Sequence, residues 1–198
     1  NLQEEAGVFN PTEDAIDFWE SLEGMYVEVD RPVAVGATRT FNAFSSEFFV
    51  LPSRGERPVV FPFDSRTARG GLEIQAGADG YGDLNAERVQ IQLDGTIYPG
   101  DVPAYAVGTK IRDIRGVVGY SFGNFEVNAT EELRAQSNNL KPEIADLKPL
   151  GYQVSVASYN VLNLDPTDTE QLQTVGNHIG VNLRSPDIVA LQEIQDNN

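Results

Sequence analysis

Cysteine is absent from the 198 residues, so neither a disulfide framework nor thiolate chemistry is open to this chain. Histidine occurs once, as His178. No window approaches the ~18 consecutive apolar residues of a membrane-spanning helix, so no membrane partner is expected. The opening residues lack the basic region and apolar core of a secretory leader, as expected of a mature or trimmed form. Positive charge is scarce: 14 Lys and Arg stand against 30 Asp and Glu, a net charge of −16. Such a surface argues against generic nucleic-acid binding, which needs clustered cations to neutralise phosphate. Any contact with nucleic acid should be local or metal-assisted, and the acidity suits a soluble, salt-exposed or divalent-rich setting.

What is present divides by pattern. Thr12 suits a helix N-cap before Glu13 and Asp14, and Ile16, Trp19 and Leu22 recur at helical spacing until Gly24. Trp19 reads as core packing. From residue 25 to about 130, apolar and polar residues alternate as in half-buried strands, over 25–30, 47–51, 88–93, 110–120 and 125–127. About five strands broken by Gly and Pro predict a mainly β fold, a small antiparallel barrel of the OB-like kind. Gly116 and Gly119 within one long strand suggest the bends that closure needs.

Between the strands, residues 52–71 form the one locally basic stretch, with Arg54, Arg57, Arg66 and Arg69 against Glu56 and Asp64. Phe61 and Phe63 lie inside it, a mixture used to grip single-stranded nucleic acid. The other reading is a long loop whose arginines pair with surface carboxylates. Asp79, Asp83 and Asn85 could gather calcium, but a flexible Gly-rich turn fits residues 77–85 better. Residues 131–151 are polar, carry two Lys-Pro pairs and read as a stiff linker.

Residues 152–198 read as strand, helix, strand. A β-branched apolar run ends at Asn160, and Leu172, Val175, Ile179 and Leu183 follow at helical spacing. Ile188-Val189-Ala190-Leu191 is a second strand, ending at Glu193. Such a βαβ unit predicts parallel strands, buried on both faces, with a right-handed crossover. Asn160 and Glu193 then reach the same carboxyl edge, where open α/β sheets bind ligands. An amide beside a carboxylate makes half of a hard-metal or phosphate site. Gln192 is expected on the opposite face of its strand. Alone, Asn160 could close an Asx turn, and Glu193 could be a surface carboxylate.

Ser158-Tyr159-Asn160-Val161-Leu162-Asn163 and Pro186-Asp187-Ile188-Val189-Ala190-Leu191-Gln192-Glu193 resemble the opening of the endonuclease/exonuclease/phosphatase superfamily. The nearest likeness is to bacterial extracellular nucleases with an OB-like domain in front, whose barrel stretches resemble residues 18–29, 83–92 and 107–127. The resemblance implies residues 1–130 as an OB-like barrel with an N-terminal helix, 131–151 as linker, and 152–198 as the truncated first βαβ of a nuclease domain. It implies Glu193 as ligand to Mg²⁺, or to Ca²⁺ or Mn²⁺, with Asn160 helping to hold metal and scissile phosphate. His178 precedes the second strand and does not fit the family's general base. The remaining Asp, Asn and His groups would lie in the missing C-terminal part of the domain, so this chain is expected to be inactive alone and its βαβ unit poorly stable. The implied partner is nucleic acid, DNA rather than RNA, and the implied location extracellular or periplasmic. A non-enzymatic OB-like module, or a phosphatase of the same superfamily, is the alternative.

Overall fold

The computed structural model describes residues 8–55, 66–67, 69–73, 85, 87–136 and 140–195. Its contacts form two compact units, Asn1–Asn139 and Leu140–Asn198, and the protein is mainly β.

The first unit opens with helix α1 (Ala15–Leu22), which begins after Asp14 rather than Thr12. Trp19 and Leu22 pack against the core, while Ile16 and Phe18 remain exposed. Nine strands follow: β1 (Tyr26–Val29), β2 (Val33–Ala34), β3 (Arg39–Asn42), β4 (Ser45–Leu51), β5 (Val89–Asp94), β6 (Lys110–Ile111), β7 (Ile114–Ser121), β8 (Asn124–Ala129) and β9 (Ala135–Gln136). Two of these boundaries are interruptions rather than ends. Tyr26↔Val117, Val29↔Ile114 and Val33↔Lys110 keep a single antiparallel register, so β1 and β2 form one strand facing β6 and β7. The break falls at Arg31, in the left-handed region (φ 35°), followed by Pro32, which has no N–H to donate.

Following the pairings gives a ring. The β1/β2 strand pairs with β6/β7, β7 with β8, β8 with β5, β5 with β4, and β4 with β2. The last seam holds only Val33↔Leu51 and Ala34↔Val50, so the sheet curls into a partly open barrel. The expected wholly antiparallel order needs one correction: β5 and β8 run parallel, Gln90 to Asn128. They do so because the chain leaves β5, returns through β6/β7 and only then lays β8 beside it.

Alternation builds the core. In β4, Phe48 and Val50 are fully buried while Glu47 and Phe49 face outward. Ile91, Leu93, Ile111, Ile114, Val118 and Val127 complete the filling. Gly116 permits the closest approach of β7 to β8, since a Cβ there would lie 2.2 Å from the carbonyl oxygen of Asn128. The barrel unit also runs beyond residue 130: β9 pairs with β6, so residues 135–136 are sheet rather than linker.

The second unit is a two-stranded parallel sheet, β10 (Val156–Leu164) beside β11 (Ile188–Ile194), with helix α2 (Thr169–Asn177) and a π-helical turn at His178–Asn182 between them. Val161, Leu164 and Val175 form a small buried cluster, with Tyr159 and Ile179 against it. The expectation of strands buried on both faces is corrected here. One side of β10 packs toward α2, but Val156, Leu162, Ile188 and Ile194 are exposed. A single helix covers only one face of a sheet.

Candidate functional site

The two expected residues meet, but β10 does not end at Asn160 as expected: Asn160 is midway along the strand, which runs on to Leu164, and Glu193 is next to last in β11. Asn160 Nδ2 donates to Glu193 Oε1 at 2.6 Å. Regular alternation alone would not do this. Asn160 is in register with Gln192, and directly paired residues share a face of the sheet. Gln192 does lie on that face, donating to Ser158 Oγ at 3.0 Å, which corrects the expectation that it turns away. Glu193, the next residue, joins Asn160 through a local break in strand geometry. The register shifts between Asn160 and Leu164, and Leu162, Asn163 and Glu193 all take positive φ, 53°, 55° and 61°. Bulges of this kind re-aim side chains, and left-handed backbone at non-glycine residues costs on the order of 1 kcal/mol or more each.

Neighbouring groups hold the break in place. Gln171 of α2 donates to the carbonyl oxygens of Val161 (2.5 Å) and Leu162 (3.1 Å). Gln195 Nε2 donates to Asn163 Oδ1 at 2.6 Å, and its N–H to the Leu164 carbonyl at 2.9 Å. At the other end of the sheet, Ser155 donates its N–H (2.9 Å) and hydroxyl (2.7 Å) to one oxygen of Asp187, pinning the register. These bonds hold the Asp187 carboxyl below the usual carboxylate range.

The amide of Asn160 has a defined orientation. Its Oδ1 accepts the Leu162 N–H at 2.9 Å, an Asx turn, so its NH₂ faces Glu193. Asn160 therefore positions Glu193 and retains a second N–H to donate. Glu193 keeps Oε2 without a partner among the described residues. Among those residues no group of three acidic, histidine or cysteine side chains gathers as a metal cage. One open carboxylate still suits Mg²⁺, which keeps several waters and takes one or two carboxylates plus substrate phosphate. His178 lies away from this edge, its Nδ1 2.6 Å from the Tyr159 hydroxyl.

In the barrel, the arginine stretch is only partly described. Arg57, Phe61 and Phe63 lie outside the described residues, as do Asp79 and Asp83, and the Arg54 side chain is likewise outside them. Arg66 bridges Leu72 and Arg69 sits in the turn between them; both are exposed. The outer face of β4, β5 and β8 carries amides and carboxylates instead. Gln90 Nε2 donates to Glu47 (2.9 Å) and to Glu126 (3.2 Å). Burial pushes the Glu126 carboxyl up, and the Glu47 and Asp94 charges add to the shift. Such a network satisfies itself and offers phosphate nothing. Sequence reasoning assigned no role to Ser158, Gln171 or Gln195; only polar residues flanking an apolar run signalled them.

The fold is thus a partly open β-barrel unit with a separate βαβ unit bearing one amide–carboxylate pair. The chain belongs to the family described as a domain of unknown function (DUF8508), which matches residues 1–139, the barrel unit. No curated protein and no solved structure matches the chain.

Proposed function

We propose that this chain is the front part of a secreted, divalent-metal-dependent nuclease, and that Asn160 and Glu193 are one half of its phosphodiesterase site. The observation that carries this is the 2.6 Å contact between Asn160, at the irregular stretch of β10, and Glu193, next to last in the parallel strand β11. Two further facts support it. Left-handed backbone at Glu193 is spent on aiming an exposed carboxylate, which no packing need explains. The two motifs that supply the pair also resemble the opening of the endonuclease/exonuclease/phosphatase superfamily.

In this reading Glu193 binds Mg²⁺ or a similar cation through its open oxygen. The cation supplies electrostatic stabilisation of charge developing on the phosphate. Asn160 fixes the carboxylate by one N–H and offers the other to a phosphate oxygen. Water activation belongs to groups other than this pair.

Manganese titration followed by electron paramagnetic resonance tests the reading. One Mn²⁺ should bind per chain, more tightly once a short oligonucleotide is added, and Glu193→Gln should remove the gain. Equal binding by the Gln variant, or no effect of the oligonucleotide, would overturn the assignment.

A further inference from the structure

The structure points to an anion-binding groove on the β6–β9 edge of the barrel, and we infer that it takes the phosphate backbone of a nucleic-acid strand. The choice of ligand rests on the nuclease reading; the groove itself does not. In a chain of net charge −16, four cations, Arg31, Lys110, Arg112 and Arg134, line one open depression of about 680 Å³ with a single carboxylate, Asp113.

The sheet register sets their arrangement. Lys110 pairs with Gln136 and Ile111 with Ala135, and the Arg112 N–H donates to the Arg134 carbonyl at 2.8 Å, extending the ladder by one pair. Ile111 points into the core. Lys110, Arg112, Arg134 and Gln136 therefore share the outward face. Lys110 and Arg112 are about 7 Å apart along the strand, and Arg112 and Arg134 stand directly opposite, about 5 Å apart at Cβ.

Like charges placed directly opposite destabilise a sheet. Two neighbouring cations of the same region are compensated by carboxylates. Arg115, three residues on from Arg112, binds Glu28 at 2.7 Å and approaches Glu131 at 3.7 Å. Arg31 binds Asp30 at 3.1 Å, and Asp113 accepts the Arg31 N–H at 2.8 Å. Among the described residues, the side chains of Lys110, Arg112 and Arg134 meet no carboxylate and no other acceptor. Three such cations thus share one face of a two-stranded ladder in a chain with 30 acidic residues. An external anion removes the repulsion. The cations are exposed and spread over two paired strands, Lys110 and Arg112 on one and Arg134 on the other, rather than converging on one buried point, which fits successive phosphates of a chain better than a single small anion.

Fluorescence anisotropy of a labelled single-stranded oligonucleotide with the full chain, in EDTA, tests the groove apart from any metal site. Three phosphate contacts predict a slope of log K against log salt of about −2, roughly a 15-fold loss between 50 and 200 mM. The triple variant Lys110→Gln, Arg112→Gln, Arg134→Gln should bind at least ~10-fold more weakly at 50 mM, with a slope near zero. Arg66→Gln with Arg69→Gln should bind as the parent does. All five side chains are exposed, so circular dichroism should show unchanged folding. Parent-like binding by the triple variant would overturn the groove and leave the Glu193 reading standing. Absence of oligonucleotide binding by the parent, or binding only to anionic phospholipid vesicles, would overturn the nucleic-acid assignment. Neither result touches the manganese titration, which decides the Glu193 site separately.

Discussion

The barrel and the βαβ unit spend their apolar residues differently. The barrel buries Phe48, Val50, Ile91, Leu93, Ile114, Val118 and Val127 in one core closed by a ring of pairings. The βαβ unit buries Val161, Leu164 and Val175, while Val156, Leu162, Ile188 and Ile194 stay exposed. Both have strands of high β-propensity, so propensity does not explain the contrast. Coverage does: a sheet curled on itself hides its inner face, whereas two strands and a helix hide one side only. The candidate site lies on the less covered unit, where local hydrogen bonds rather than core packing hold its geometry.

The largest expected effect on this comparison comes from tightening the barrel. Gly116→Ala places a methyl group 2.2 Å from the Asn128 carbonyl oxygen, on backbone that cannot step aside. It should cost about 3 kcal/mol or more in urea unfolding, and a loss below 1 kcal/mol would show that the β7–β8 seam is looser than described. Hydrogen exchange should come next in size. Amides of β4 and β5 should exchange at least ~100-fold more slowly than those of β10 and β11. Equal protection in dilute solution would break the contrast.

The smallest effects have opposite signs in the two units. Glu126 in the barrel has its carboxyl raised above 4.5, first by burial. Its contribution to stability is therefore full below that pH and is lost as pH rises through the folded value. Glu126→Gln should raise Tm at pH 7 and leave it unchanged near pH 4. Asp187 in the βαβ unit is lowered below 3.8, first by the Ser155 N–H. Its contribution is present above that value and disappears as pH falls through the folded one. Asp187→Asn should weaken the unit at pH 7 and matter less in acid. Tm measured across pH for both variants checks the two signs, and a common sign would contradict this picture.

Much of this was legible in the sequence, for identifiable reasons. The strands β4, β5, β7 and β8 announce themselves by alternation, because one face is core and the other solvent. Two apolar runs, each carrying a polar residue, placed Asn160 and Glu193 on neighbouring parallel strands, but their direct contact depends on an irregularity that the pattern does not show. Short strands were not legible: β2 and β9 span two residues each, too few for a period to show. The parallel β5–β8 seam depends on the route of the chain, which local pattern does not encode. The left-handed turn at Glu193 was hidden because glutamate carries no signal for positive φ. Arg134 sat in a stretch read as linker, so its meeting with Arg112 across a ladder was invisible before the register was known.

The most direct test of the nuclease account is localisation of a bound cation by NMR. Substoichiometric Mn²⁺ added to the isotope-labelled chain broadens the amides around whatever group holds it. The account predicts loss of signal centred on residues 160–162 and 192–194, abolished by Glu193→Gln. Broadening centred elsewhere, or unchanged by that substitution, would contradict it.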